Sequence, residues 1–241
     1  MPYPAGDDLD RFPPIRYIPN NNYVETYLLP FVIGIAGPSC SGKTSIACGL
    51  AAILQPATIF SLDAYYRDLR HLTPQEREKV NFDHPDALDV RLLLRDLKCL
   101  RRGEGTQQPV YNFGSHLRQK RTRNIAPGDY VIVEGLLSLY WATLRRLLDA
   151  RVFVGIPEVS CLERRKARDV RERGRKLASV TAQYVATVRP MAERFVLPQQ
   201  GYAELVVDGT APLADSIQKI AHHIQALAGL RAKVPSTIVA R

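Results

Sequence analysis

The sequence predicts an α/β domain: a mainly parallel sheet flanked by helices, with an inserted β-hairpin and a helical, arginine-rich lid. Three observations lead there. Short apolar runs alternate with longer helical stretches from Phe31 to Ala228, which is the pattern of βαβ units. The first of these units, Pro30 to Leu50, passes from an apolar run through a glycine-rich turn into a helix. No apolar run is long enough to span a bilayer, and 241 residues suffice for one domain with a proper core.

Taken in order, residues 1–29 hold Pro2, Pro4, Pro13, Pro14 and Pro19 and read as an extended arm. Tyr23 to Leu29 could add a short edge strand. The opening is acidic and proline-rich, unlike a signal peptide. Phe31 to Ala36 is fit for a buried strand, and Thr44 to about Ile53 for the helix after it. Ala57 to Leu62 is the next strand. Thr73-Pro74-Gln75-Glu76 has capping-box spacing with proline at the first helical position. The helix from about Ala87 to Arg102 carries Leu92, Leu93, Leu97 and Leu100 at helical spacing. Pro109 to Phe113 and Arg118 to Ile125 flank Gly114-Ser115 as an antiparallel hairpin. Tyr130 to Val133 and Arg151 to Ile156 are further strands, with a helix expected between them from Leu136 to Leu148. Glu158 to Arg173 is a charged helix ending at Gly174. Leu177 to Phe195 is another, interrupted near Pro190. Ala203 to Val207 is the last strand, and Leu213 to about Ala228 the last helix, stopping at Gly229. The working division is an arm over 1–29, a domain over 30–230 and a tail over 231–241.

The net charge of +9 is concentrated rather than spread. Arg101 to Arg123 carries six basic residues against one acid, and Arg164 to Lys176 carries eight against two. Such clustering points to anionic ligands, either a nucleoside triphosphate or nucleic acid. The cysteines Cys40, Cys48, Cys99 and Cys161 form no C-x-x-C pair and no metal-ligand spacing. They fit free thiols in a reducing cytosol.

Gly37-Pro38-Ser39-Cys40-Ser41-Gly42-Lys43-Thr44 matches the phosphate-binding spacing G-x-x-x-x-G-K-[ST], with Ser45 next in the helix. Its glycines allow the backbone to wrap an anion, and the helix start offers N–H groups and a favourable dipole. Lys43 would bridge donor phosphates and Thr44 would hold Mg²⁺. Asp63 and Glu134 each end an apolar strand, so both are placed on the same sheet edge as this loop. Asp63 is a candidate base for an acceptor hydroxyl or a helix cap. Glu134 is a candidate Mg²⁺ holder or a solvated strand end. Arg165 and Arg168 share a helix face. Arg173 and Arg175 flank Gly174, a hinge for a segment that closes over phosphates; the competing reading is a solvated helix with internal ion pairs. Tyr111, Phe113 and His116 offer a face and an edge to a planar base, or are ordinary core and surface residues.

Together these stretches resemble the uridine kinase (uridine–cytidine kinase) family of P-loop nucleoside kinases. The resemblance is carried by GIAGPSCSGKT, SLDAYYRD, HLTPQEREKVNFDHPDALD, PVYNFGSHLR, VIVEGLL, RRKARDVRERGR and AQYVATVRPM, between about Phe31 and Leu227. It implies a P-loop NTPase fold and transfer of a phosphate from ATP or GTP, with Mg²⁺, to the 5′-hydroxyl of uridine or cytidine. It further implies that Asp63 is the base and lies near the metal. Lys43 and the loop would hold the donor, and Thr44 and Glu134 would flank the metal. Asp83 would bind the ribose hydroxyls, with Tyr66 and Phe82 beside it. Tyr111 and His116 would read the pyrimidine. Arg165 and Arg168 would lie near nucleoside and phosphates, Arg173 and Arg175 in the lid, and Gln183 near the ribose. Family resemblance also implies a homo-oligomer, commonly a tetramer, inhibited by pyrimidine triphosphates. A cytoplasmic location is expected from the free thiols, and neither nucleic acid nor membrane is expected as a partner.

Two regions depart from the family pattern. Val207-Asp208-Gly209-Thr210-Ala211-Pro212 stands where the family usually has Arg-Gly-Gly or Arg-Gly-Ala near the adenine. The arm before Pro30 has no counterpart. Two rival readings follow from the residues: a P-loop kinase of a phosphorylated sugar such as ribulose 5-phosphate, and a nucleotide-responsive protein using its basic blocks on RNA.

Overall fold

A computed structural model of the chain describes residues 29–232, without the side chains of Glu172, Arg173, Arg231 and Ala232. Five parallel strands form the central sheet: β1 (Phe31–Ala36), β2 (Ala57–Ser61), β5 (Tyr130–Glu134), β6 (Ala150–Gly155) and β7 (Leu205–Asp208). Their order is β2-β5-β1-β6-β7. The hairpin of β3 (Thr106–Asn112) and β4 (Leu117–Ile125) is a separate antiparallel pair with an irregularity between Pro109 and Tyr111.

The strands are apolar runs because both sheet faces are covered. Along β1 successive side chains enter opposite cores. Val32 and Ala36 join Phe60, Val131 and Val133 beneath α3 (Val90–Arg101), whose Leu93, Leu97 and Leu100 are fully buried. Phe31, Ile33 and Ile35 pack with Ile132, Val152 and Val154. That second core is closed by Ile46 and Leu50 of α1 (Lys43–Ile53) and by Ile220 and Ile224 of α8 (Leu213–Ala232). The strands expected from Phe31 onward and the hairpin form. The capping box is present at α2 (Pro74–Arg77), and Asp89 caps α3 through the N–H of Leu92.

Three expectations fail. The stretch from Leu136 to Leu148 is helical only over α4 (Ala142–Arg145). Its first part is instead held as turns by side chains. Ser138 Oγ donates to Ile35 O, and Gln199 reaches in from a distant segment. Gln199 Oε1 accepts from Leu139 N–H at 2.9 Å, and its Nε2 donates to Leu136 O at 2.9 Å and Phe195 O at 2.8 Å. Second, Gly229 does not stop α8, which continues to Ala232. A glycine in a helix costs only about 1 kcal/mol against alanine, and here it opens no cap.

Third, the helical run after α5 (Glu158–Arg173) and α6 (Leu177–Gln183) is not broken at Pro190. Pro190 sits in the short α7 (Arg189–Met191), between π-helical turns over Tyr184–Val188 and Ala192–Val196. The π turns absorb a residue that lacks an N–H and would crowd a regular ladder. The edge strand expected over 23–29 falls outside the described residues except for Leu29, which lies outside any strand. The arm over 1–28 and the tail over 233–241 also fall outside them.

Gln199 is 1% exposed, so its loss would leave Leu139 N–H buried without a partner. Gln199→Leu is therefore expected to destabilise the fold by about 2–4 kcal/mol, as measured by the midpoint of urea unfolding.

Candidate active site

The turn after β1 is shaped by backbone constraints. A Cβ at Gly37 would meet Val154 O at 2.5 Å, so only glycine lets the chain pass β6 so closely. Gly42 has φ +97° with open space where a Cβ would stand, and no side chain caps α1 behind it. The first N–H groups of α1 thus face an anion site rather than a cap. Cys40 itself takes a left-handed conformation, φ 65°. Lys43 Nζ donates to Pro38 O at 3.2 Å, folding its ammonium over the loop.

Beside this cradle lies Glu134, at the end of β5 and only 4% exposed. Its register neighbours are Ile35 on β1 and Ser61 on β2. Thr44 Oγ1 donates to one carboxylate oxygen at 3.0 Å and Ser61 Oγ to the other at 2.5 Å. Both partners are neutral, and a buried carboxylate calls for a cation. Among the described residues no three His, Cys, Asp or Glu side chains cluster as a protein-only metal site. One carboxylate and one hydroxyl beside a phosphate cradle fit Mg²⁺, which keeps several waters and takes its remaining ligands from substrate phosphates.

The acceptor side is built on the next strand end. Asp63 is exposed on a single 3-10 turn, Leu62–Tyr65, after β2. With Ser61, Tyr111 and Phe113 it lines a cleft of about 520 Å³. Asp83 lines a different, smaller cavity of about 90 Å³, with Pro38, Ser39, Tyr184 and Val188. The two acids expected to serve one nucleoside therefore border separate spaces.

An aromatic cluster lies along the hairpin and the segment after β2. Tyr66 lies 5.2 Å from Tyr111 and 5.4 Å from Phe82, centroid to centroid, and Phe82 stacks on His116 at 4.6 Å. Tyr111 is 8% exposed, and among the described residues its hydroxyl has no hydrogen-bond partner. Burial, with Asp68 adding to it, pushes that hydroxyl up to about 12, so it stays a neutral donor at physiological pH. Guanidiniums fasten the hairpin to α2 and to the segment after β2. Arg77 donates to Ser115 O at 2.8 Å, and Arg118 donates to Tyr66 O at 2.9 Å.

Helix α5 grips the phosphate loop along one face. Cys161 Sγ donates to Ser39 O at 2.8 Å, and burial raises the pKa of its thiol. One turn on, Arg165 donates to Ser39 Oγ at 3.3 Å. Arg164 donates to Cys40 O and to Gly209 O, tying the loop to the turn after β7. Farther along, Arg168 and Arg175 both meet the carboxylate of Asp169, and Arg175 also donates to Gln183 Oε1 at 2.7 Å. The hinge glycine, Gly174, is left-handed at φ 62°. Arg173 was expected in this lid; its side chain lies outside the described residues.

Sequence reasoning missed Ser61, Arg164, Asp169 and Tyr184. Ser61 alone left a signal, as the residue aligned with Glu134 across β2 and β5.

The sequence model of the phosphoribulokinase / uridine kinase family matches residues 32–213. A uridine kinase of Escherichia coli (strain K12) is 44% identical over 182 residues, covering 73% of this chain and 85% of that protein. One from Shewanella amazonensis is 43% identical, covering 73% and 86%. Among solved structures, the phosphoribulokinase of Rhodobacter spheroides shares the fold at a TM-score of 0.55 and 15% identity, covering 76% of this chain and 74% of that one. With the cradle, the strand-end acids and the match over most of its length, the chain belongs to the phosphoribulokinase / uridine kinase family.

Proposed function

We propose that this protein transfers the terminal phosphate of ATP or GTP to the 5′-hydroxyl of uridine or cytidine. The observation that carries the reading is the adjacency of two strand ends. Ser61 binds Glu134 beside the phosphate cradle, and Asp63 stands two residues farther along, facing the cleft that Tyr111 lines. Phosphoryl transfer asks chiefly for positioning and charge neutralisation, and this edge supplies both.

In this reading Gly37 to Ser45 cradle the donor phosphates and Lys43 swings from Pro38 O onto them. Thr44 and Glu134 would hold Mg²⁺, which neutralises charge on the donor phosphates when bound. Asp63 orients the acceptor hydroxyl and takes its proton. Asp83 binds the ribose hydroxyls from the neighbouring cavity, with Gln183 on the lid side. Phe82, Tyr66 and His116 present faces to the pyrimidine, and Tyr111 offers a hydroxyl donor. Arg165, Arg168, Arg173 and Arg175 bring positive charge to the phosphoryl group in flight. The relatives named uridine kinases support the acceptor class.

One observation favours a second reading, transfer to a phosphorylated sugar. Arg121 and Arg123 line the Asp63 cleft, and among the described residues their partners are the amide oxygens of Gln119 and Gln108 rather than carboxylates. Labelled ATP offered with uridine, cytidine, ribulose 5-phosphate and pantothenate in parallel decides between them. Label in UMP or CMP is expected. Label in the sugar bisphosphate alone would replace this reading with the second.

Asp63→Asn is expected to lower kcat by about a hundredfold or more while the uridine KM stays within about threefold; steady-state kinetics read both. Lys43→Ala should depress turnover with every acceptor to a similar degree, because it acts on the donor. Equal acceptor panels for the variant and the native protein, scaled by one factor, are the expected result.

A further inference from the structure

The acid at the centre of the arginine segment has no role in the reading above. Asp169 is fully buried on α5. Its Oδ1 accepts from Arg168 Nε at 2.9 Å and lies 2.8 Å from an Nη of the same guanidinium. Its Oδ2 accepts from Arg175 Nη1 at 3.3 Å and lies 3.8 Å from Arg165 Nε. Its backbone carbonyl accepts the N–H groups of Gly174 and Arg175, closing the helix at the hinge.

We propose that Asp169 is a positioning residue, which sets Arg165, Arg168 and Arg175 as one array for the terminal phosphate of the donor. The proposal rests on the kinase reading for the identity of the donor. Three guanidiniums meet one carboxylate there. Its direction is fixed by Arg165, which reaches Ser39 of the phosphate loop at 3.3 Å. Through Arg165 the array is tied to the cradle. Arg175 spends only Nη1 on Asp169 and Gln183, and among the described residues its other nitrogens are uncommitted.

Stability alone explains this arrangement poorly. A buried ion pair is often no more stable than apolar residues of like volume, and a single arginine would balance the charge. A shared carboxylate does something a single pair cannot. It offsets part of the repulsion among three cations, fixes Arg168 and Arg175 through charge-assisted bonds, and attracts Arg165 at 3.8 Å. The array is then prearranged before the triphosphate arrives, which is where electrostatic stabilisation is most effective.

Two variants separate aim from charge and from folding. Asp169→Glu keeps the charge but moves the carboxylate outward by one methylene. Asp169→Asn keeps the shape and removes the charge. The full chain is titrated with fluorescent ATP and ADP analogues in the absence of any acceptor. Both variants are expected to lose about tenfold in ATP affinity and less than about threefold in ADP affinity, with the Glu variant unfolding within a few degrees of the native protein. An unchanged ATP-to-ADP ratio in the folded Glu variant overturns the proposal, and so does an equal loss for both nucleotides. This readout needs no acceptor, so it stands apart from the acceptor panel. Absence of turnover in that panel would remove the kinase reading, whereas the nucleotide ratio tests Asp169 by itself.

Discussion

The catalytic edge depends on one buried carboxylate and the two hydroxyls that hold it. Glu134 is flanked by Thr44 from the first turn of α1 and Ser61 from the end of β2. Those bonds join the ends of β5 and β2, which are neighbours in the sheet, to the first turn of α1. Parallel pairing brings the strand ends to one edge, and the hydroxyls fix which side chains point together there. Neutral hydrogen bonds do not balance a buried charge. In the proposed reading a bound cation would complete this balance.

Rigidity is distributed unevenly around that edge. The cradle is continuous with two packed cores and is gripped from α5 by Cys161, Arg164 and Arg165. The hairpin is attached differently. Arg70, Arg77 and Arg118 fasten it through bonds to carbonyl oxygens, and the aromatic cluster fills the space beneath. Few of its residues are buried, and segments with exposed hydrogen bonds and little buried apolar area open most readily. The phosphate loop is thus the more firmly packed part of this edge and the hairpin the less packed part.

Local chemistry made much of this legible before any coordinates. The strand–turn–helix at Gly37 to Thr44 declares itself because a phosphate cradle needs glycines at fixed spacing. Glu134 and Asp63 could be placed because each ends an apolar run, and parallel strands end on one edge. The failures share a cause: the deciding partner is far away in sequence. Leu136 to Leu148 has the leucines of a helix, yet Gln199 takes the backbone groups such a helix would have used. Pro190 reads as a break, and π turns on both sides absorb it. Asp169 looks like one acid among eight bases, and only the fold shows three of those bases converging on it. Distances between loops, such as that between Asp63 and Asp83, leave no trace in spacing at all.

The departure at Asp208 to Pro212 takes on a physical meaning from the same contacts. A Cβ at Gly209 would stand 2.5 Å from Ser41 O, so this turn approaches the phosphate loop backbone to backbone. Arg164 joins the two through Gly209 O and Cys40 O. Bonds from Thr210, first from its N–H and then from its hydroxyl, hold the Asp208 carboxyl below its usual range, so it is ionised at neutral pH. A fixed negative charge thus borders a cradle meant for phosphates. Arg164 offsets it, since its field also favours the carboxylate. The turn after β7 is thus tied to the phosphate loop by an arginine reaching from the helix to main-chain carbonyls, not by an arginine carried on the turn itself. The α5 face from Cys161 to Arg165 therefore touches both the loop and that turn, and in the proposed reading a donor nucleotide would meet all three.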